Sequence, residues 1–214
     1  MRFLFDFISP YAYLGWTQIH ALAARHGRDV EPVPVLFAGL LNAHGGKGPA
    51  EIAAKRQYLF KDVLRRARRF GVPSLMPPPS HPFNPLLALR AASFPASAAA
   101  RRRLIDALYQ ATWAGGGGVE SEAAIRAAAA YAELAPDAVV EYARSDGAKA
   151  ELRRNTEAAI AAGVFGVPTV LVDDELFFGT DSFELLDDFL NGAVLPEEPL
   201  ERWRALRPSA ERRS

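Results

Sequence analysis

Apolar residues occupy both sides of the first segment, where Phe3, Phe5 and Phe7 alternate with Leu4, Asp6 and Ile8 across residues 2 to 8. Apolarity on both faces predicts a strand inside a covered sheet. At Ser9 the period changes from two to that of a helix. Ser9 suits an N-cap and Pro10 the first helical position, and Leu14, Ile19, Leu22 and Ala23 follow at helical spacing. A helix is predicted from Tyr11 to about Arg25, closed by Gly27. A second strand is predicted from about Val30 to Phe37.

From Pro49 onward, stretches rich in alanine, leucine and arginine predict helices over Glu51 to Phe70, Phe83 to Ala92, Ala96 to Trp113, Ser121 to Leu134 and Pro136 to Ala162. The separators are Pro73, the stiff run Pro77-Pro78-Pro79, Phe94-Pro95, and a mobile break at Gly115 to Gly118. No phosphate-loop lysine follows the glycine run. After Pro168 the period returns to two: Thr169 to Val172 and Leu176 to Phe178 predict a hairpin turning at Asp173-Asp174. A last helix is predicted over Phe183 to Phe189, ending near Asn191-Gly192. The charged segment Pro196 to Ser214 offers Trp203 and Leu206 as docking points, with its last few residues loose.

The order strand, helix, strand, helical block, strand, strand, helix predicts an α/β fold, a thioredoxin-like βαβ…ββα core interrupted by a large all-helical insertion. The expected division is a discontinuous core domain at 1–48 and 163–195, a helical insertion domain at 49–162, and a C-terminal tail at 196–214. No internal repeat is visible.

The 214 residues, half of them hydrophobic, suffice for a substantial core. Charge is balanced, 25 basic residues against 25 acidic, so no global field favours nucleic acid or an acidic membrane surface. Arg101-Arg102-Arg103, and the stretch holding Asp62, Arg65, Arg66, Arg68 and Arg69, read as ordinary charged helix surface. No apolar run reaches the roughly 20 residues of a bilayer span, and no cleavage pattern follows the short apolar start. A soluble, cytoplasmic protein is expected. The chain has no cysteine, which excludes disulfides and thiol redox chemistry of its own. No metal-ligand cluster is visible. Any thiol chemistry must use a sulfur from elsewhere.

Ser9 is the candidate for handling such a sulfur. Its hydroxyl and the free N–H groups of the first helical turn can face a thiolate, whose charge the helix dipole also favours. Such placement lowers a thiol pKa from about 8.5. The plainer reading is an N-cap alone. A serine-histidine-acid triad would need His20, His26, His44 or His81 to reach Ser9 by tertiary coincidence. Val167-Pro168, opening a strand, suggests a cis peptide that leaves the Val167 backbone free to pair with an extended peptide such as glutathione. The alternative is an edge-strand proline with a trans bond. Thr180 or Asp181 can cap the last helix or offer an oxygen to a ligand amine. Lys47 and Lys55 are candidates for carboxylate recognition or solvated surface. Asn84 is either a cap, with Pro85 at the first helical position, or a polar pocket residue. Tyr11, Tyr13 and Trp16 can form an aromatic wall, with Trp16 better suited to the core.

The run Phe5-Asp6-Phe7-Ile8-Ser9-Pro10-Tyr11-Ala12-Tyr13-Leu14-Gly15 resembles the opening of the 2-hydroxychromene-2-carboxylate isomerases, relatives of the kappa class glutathione transferases. The resemblance extends through Ala54-Lys55-Arg56 with Tyr58, His81-Pro82-Phe83-Asn84-Pro85, Trp113, Gly163 to Thr169, and Phe178-Gly179-Thr180-Asp181. It implies glutathione as cofactor and Ser9 as the catalytic residue positioning its sulfur. It also implies Val167 pairing with the glutathione backbone, Thr180 and Asp181 holding the γ-glutamyl end, and Lys47 and Lys55 near the ligands. Tyr11 and Asn84 are the candidates facing a small aromatic acid substrate, and a homodimer is possible. Lys47 and Ser182 depart from the asparagine and arginine frequent in the family. The implied activity converts 2-hydroxychromene-2-carboxylate, or a related conjugated acid, to trans-o-hydroxybenzylidenepyruvate. A kappa-like transferase or peroxidase, or a non-catalytic glutathione- or peptide-binding module, are the alternatives.

Overall fold

The computed structural model describes residues 1–207. Its centre is a four-stranded sheet in the order β2-β1-β3-β4, built from β1 (Arg2–Phe5), β2 (Glu31–Pro34), β3 (Thr169–Val172) and β4 (Glu175–Phe178). β1 runs parallel to β2 and antiparallel to β3, with Leu4 opposite both Val33 and Thr169. The crossover from β1 to β2 is α1 (Pro10–Arg25). The β3–β4 hairpin turns through Asp173 and Asp174 at φ 45° and 69°, the left-handed pair of a tight hairpin turn. This is the thioredoxin-like βαβ…ββα arrangement that the order of elements predicts.

Between β2 and β3 lie α2 (Phe37–Ala43), α3 (Ala53–Arg69), α4 (Leu86–Ala91), α5 (Ala98–Trp113), α6 (Glu122–Tyr131), α7 (Pro136–Arg144) and α8 (Asp146–Ala161). α2 is absent from the expected elements because its seven residues are too few to show a period. The single helix expected over 136–162 is two. Ser145 adopts extended backbone and its Oγ accepts the Ala148 N–H at 3.1 Å, so it caps α8 just where α7 ends. The glycine break is a folded cap: Gly118 donates to the Ala111 carbonyl at 3.0 Å, with Gly115 and Gly118 at φ 85° and 93°.

Alternation along β1 divides the core. Phe3, Phe5 and Phe7 face α1 and α5, where Phe5 and Phe7 meet the Tyr109 ring at 5.8 and 4.7 Å between centroids. Trp16 packs in the same cluster and donates to Asp106 at 2.5 Å. Trp113 donates its indole N–H to the Phe7 carbonyl at 2.8 Å. Leu4 points the other way, into a smaller cluster with Val35, Leu40, Val164 and Leu171. The helical block contributes to both clusters, sharing the larger with Phe3, Phe5 and Phe7, and burial of this kind contributes about 25 cal/mol per Å².

α9 (Phe183–Leu190) closes the sheet, and a further helix, α10 (Glu197–Arg204), follows. The docking expected of Trp203 and Leu206 does not occur: each is 71% exposed. α10 buries none of its residues. The end of the expected tail, residues 208–214, lies outside the described residues. No helix among those described is long and apolar enough to cross a membrane.

Candidate active site

Ser9 sits where β1 gives way to α1. Its Oγ accepts the Ala12 N–H at 3.2 Å, and its own N–H donates to the Asp6 carbonyl at 3.2 Å. It is thus an N-cap. Because the oxygen is the acceptor in that cap, the hydroxyl proton stays unspent, and it goes to no acceptor among the described residues. Ser9 is 8% exposed.

Below the turn, Asp6 is fully buried, and its two oxygens accept from Ile8 N–H at 3.0 Å and Phe37 N–H at 2.9 Å. Burial outweighs those two hydrogen bonds and raises its pKa to about 7.

The β1–β3 register brings Val167 and Pro168, the residues just before Thr169, alongside the Phe5–Asp6 end of β1. The Val167-Pro168 bond is cis. A Cβ on Gly15 of α1 would stand 3.3 Å from Pro168 Cγ, so glycine lets α1 close on this segment. The Val167 N–H and C=O have no hydrogen-bond partner among the described residues, which leaves a backbone edge for an extended peptide. The Pro168 carbonyl accepts from Gly179 N–H at 2.9 Å, carrying Thr180 to the same end of the sheet.

Thr180 and Asp181 open a short 3₁₀ turn before α9. Gly179 precedes them at φ 81°, and Asp181 Oδ1 lies 2.7 Å from where a Cβ at Gly179 would stand. The dihedral requires glycine, whereas the contact is with the end of an exposed side chain that can swing away. Thr180 is buried and its Oγ1 accepts from Arg66 Nη1 at 3.1 Å. Arg66 Nε donates to Asp62 at 2.7 Å, and Tyr11 donates its hydroxyl to the same carboxylate at 2.9 Å. The guanidinium also lies 5.5 Å from the Tyr11 ring centroid. Burial opposes the Asp62 charge, but the Arg66 and Tyr11 hydrogen bonds outweigh it and hold its pKa below the usual carboxylate value. Burial, then the Asp62 bond, pushes the Tyr11 phenol up.

Ser9, Tyr11, Val167, Thr180 and Asp181 therefore gather at one end of the sheet. Lys47 and Lys55 are exposed, and neither joins an ion pair among the described residues. Asn84 is exposed and accepts the Leu86 N–H at 3.0 Å. The expected cap is therefore displaced: Pro85, not Asn84, holds the N-cap position and α4 begins at Leu86, so Asn84 closes a side-chain turn one residue earlier and its amide nitrogen is left for a ligand.

The histidines do not form a triad. His26 pairs with Asp187, His44 with the Val164 carbonyl, and His20 meets the Trp16 ring edge to face. His81 comes nearest, its Nε2 3.3 Å from the Ile8 carbonyl. Burial lowers its pKa.

Asp62 and Arg66 are the residues that the sequence reading passes over. Their i, i+4 spacing is visible, but Tyr11 and Thr180 are distant in sequence, so nothing local distinguishes this pair from its charged neighbours.

Residues 1–191 match the DSBA-like thioredoxin domain family. A 2-hydroxychromene-2-carboxylate isomerase of Sphingobium xenophagum is 31% identical over 201 residues, covering 88% of this chain and 96% of that protein. A glutathione S-transferase kappa 1 of Rattus norvegicus is 26% identical, over 87% of this chain and 88% of its own. Among solved structures, a 2-hydroxychromene-2-carboxylate isomerase superposes with a TM-score of 0.81 at 25% identity, covering 95% of this chain and 97% of the other.

Proposed function

The chain belongs to the DSBA-like thioredoxin domain family, with 2-hydroxychromene-2-carboxylate isomerases among its relatives, and on that premise we propose that it is a glutathione-dependent isomerase of a conjugated aromatic acid. The expected conversion is 2-hydroxychromene-2-carboxylate, or a close relative, to trans-o-hydroxybenzylidenepyruvate. One observation carries the reading: a serine whose oxygen is used in a helix cap but whose proton is not, beside an unpaired backbone edge at Val167.

The residues fit the tripeptide. Ser9 and the first turn of α1 hold the sulfur as an anion, the Val167 backbone pairs with the peptide, and Thr180 and Asp181 take the γ-glutamyl end. When bound, glutathione would supply a thiolate for reversible addition to the conjugated acid, so that the hemiketal ring could open, the former double bond rotate, and expulsion of the sulfur restore both the double bond and glutathione. Ser9 donates its hydroxyl proton toward that charge, and a directed donor in a water-poor site commonly contributes a factor of about 10² to 10³. The amide nitrogen of Asn84 and the exposed lysines Lys47 and Lys55 are candidates for the substrate's carboxylate. Tyr11 stands at the same end of the sheet as a candidate contact for the aromatic substrate, its hydroxyl donating to Asp62.

Product analysis tests the reading. Isomerisation leaves the amount of glutathione unchanged and requires it; consumption of glutathione against an electrophile or peroxide instead supports the kappa-like transferase or peroxidase, the reading favoured by the kappa relatives. Binding without a lowered thiol pKa and without turnover would make the chain a peptide-binding module.

A further inference from the structure

We propose that His81 and Trp113, both contributed by the helical block between β2 and β3, are positioning residues that hold the turn carrying Ser9 through the carbonyls of Ile8 and Phe7. Their importance for turnover rests on the glutathione reading above; the contacts themselves do not.

Residues Asp6 to Ser9 form a turn closed by the Ser9 N–H donating to the Asp6 carbonyl at 3.2 Å, so Phe7 and Ile8 are its central residues. Closing the turn uses neither of their carbonyls. The Phe7 carbonyl accepts from the Trp113 indole N–H at 2.8 Å, and the Ile8 carbonyl lies 3.3 Å from His81 Nε2. A carbonyl can only accept, so Nε2 carries the proton. The Nδ1 of that ring is buried without a partner among the described residues, which suits a bare lone pair better than a second N–H. The Ile8–Ser9 peptide unit is thereby held at both of its polar atoms, its N–H by Asp6 and its C=O by His81. Rotation of that unit would swing the Ser9 Cα and its hydroxyl.

The two donors are held in their turn. The His81 ring meets Phe60 of α3 at 5.8 Å, Phe83 of the loop before α4 at 6.2 Å, and Trp113 at the end of α5 at 5.3 Å between centroids, each edge to face. Trp113 is fully buried. Two helices of the insertion and one of its loops thus converge on the β1–α1 turn. Neither side chain donates to the Ser9 hydroxyl, so both act through the backbone. A catalytic group has to be held to within about 0.5 Å by such support, and misplacing one by about 1 Å can cost about 10²-fold in rate.

Two amides of different length test this on the full chain, because a glutamine nitrogen reaches the place of Nε2 whereas an asparagine nitrogen stops near that of Nδ1. The first readout is hydrogen exchange of the Ser9 amide, followed by NMR on the protein without glutathione. The second is glutathione-dependent isomerisation of 2-hydroxychromene-2-carboxylate. His81→Asn is expected to speed Ser9 exchange about tenfold and to lower kcat about tenfold, with the KM for glutathione changed by less than about threefold. His81→Gln is expected to return exchange and kcat to within about threefold of wild type. Trp113→Phe, which keeps a ring and deletes the donor, should also speed Ser9 exchange. Thermal melting of every variant accompanies both readouts. Equal behaviour of the Asn and Gln variants, or a loss of kcat that follows the melting temperature alone, would make His81 a packing residue and overturn the proposal while the glutathione reading survives. A wild type that does not isomerise, with Ser9 exchange still separating Asn from Gln, overturns that reading and leaves the backbone clamp standing.

Discussion

The Asp6 carboxylate accepts the Phe37 N–H at 2.9 Å, tying the end of β1 to the start of α2 from a position that solvent does not reach. The same residue's backbone carbonyl holds Ser9. The candidate site thus stands directly above a buried acid.

That acid makes stability depend on pH in an unusual direction. Burial raises the Asp6 pKa from 3.8 to about 7, so between those values the folded state holds a proton that the unfolded chain has lost. The stabilisation is complete below pH 4 and is lost as pH rises through about 7, amounting to about 4 kcal/mol. Asp6→Asn should flatten this part of the profile. Urea titrations from pH 4 to 8 on both proteins isolate the Asp6 contribution as the difference between them, because His20 and His81, whose pKa values burial lowers, add stability with the opposite dependence on pH; a wild-type-minus-variant difference that rises over this window would contradict the assignment.

Two substitutions separate the cap from the chemistry at Ser9. Ser9→Ala should cost about 1 kcal/mol of stability, whereas Ser9→Gly should cost only a few tenths, since glycine is a tolerable cap. Both should lower turnover alike, by about a hundredfold. Denaturation and steady-state kinetics on the pair give the comparison. Activity that tracks stability instead would leave Ser9 a cap alone.

Gly15 tests the approach of α1 to the cis-proline segment. A Cβ there meets Phe3 Cζ and Pro168 Cγ at 3.3 Å and Phe183 Cζ at 3.4 Å. Gly15→Ala asks these neighbours to shift only slightly and gains helix propensity, so a net change within about 1 kcal/mol is expected. Gly15→Val adds two methyls with nowhere to go and should destabilise by about 3 kcal/mol. Chemical denaturation midpoints distinguish the two.

Tyr109 carries a fully buried hydroxyl without a partner among the described residues. Burial, and then the Asp6 charge, push its pKa well up. Removing an unsatisfied buried hydroxyl while keeping the ring should help, so Tyr109→Phe is expected to stabilise the protein by about 1 kcal/mol. A lower melting temperature would mean that this oxygen is hydrogen-bonded in solution.

Local signals were legible where local physics decides. The Ser9-Pro10 cap, the hairpin turning at two aspartates, and the alternation that sends Phe3, Phe5 and Phe7 to one face and Leu4 to the other all depend on neighbouring residues. The break at Ser145 was written in the chain as a cap signal, yet the helical composition on both sides hides it. Trp203 and Leu206 show the opposite failure: their apolarity suggests burial, but no surface comes to meet them.

The amino-acid order by itself determined the succession of strands and helices, the serine at the first helical turn and the lack of any thiol, because each follows from residue type and near-neighbour spacing. Tertiary structure alone decided that Arg66, one charge among several on α3, would reach Thr180, and that Asp6 would lie in a dry core. Both outcomes depend on contacts between segments far apart in the chain, where desolvation and the geometry of packing set the energy and one-dimensional spacing carries no record of it.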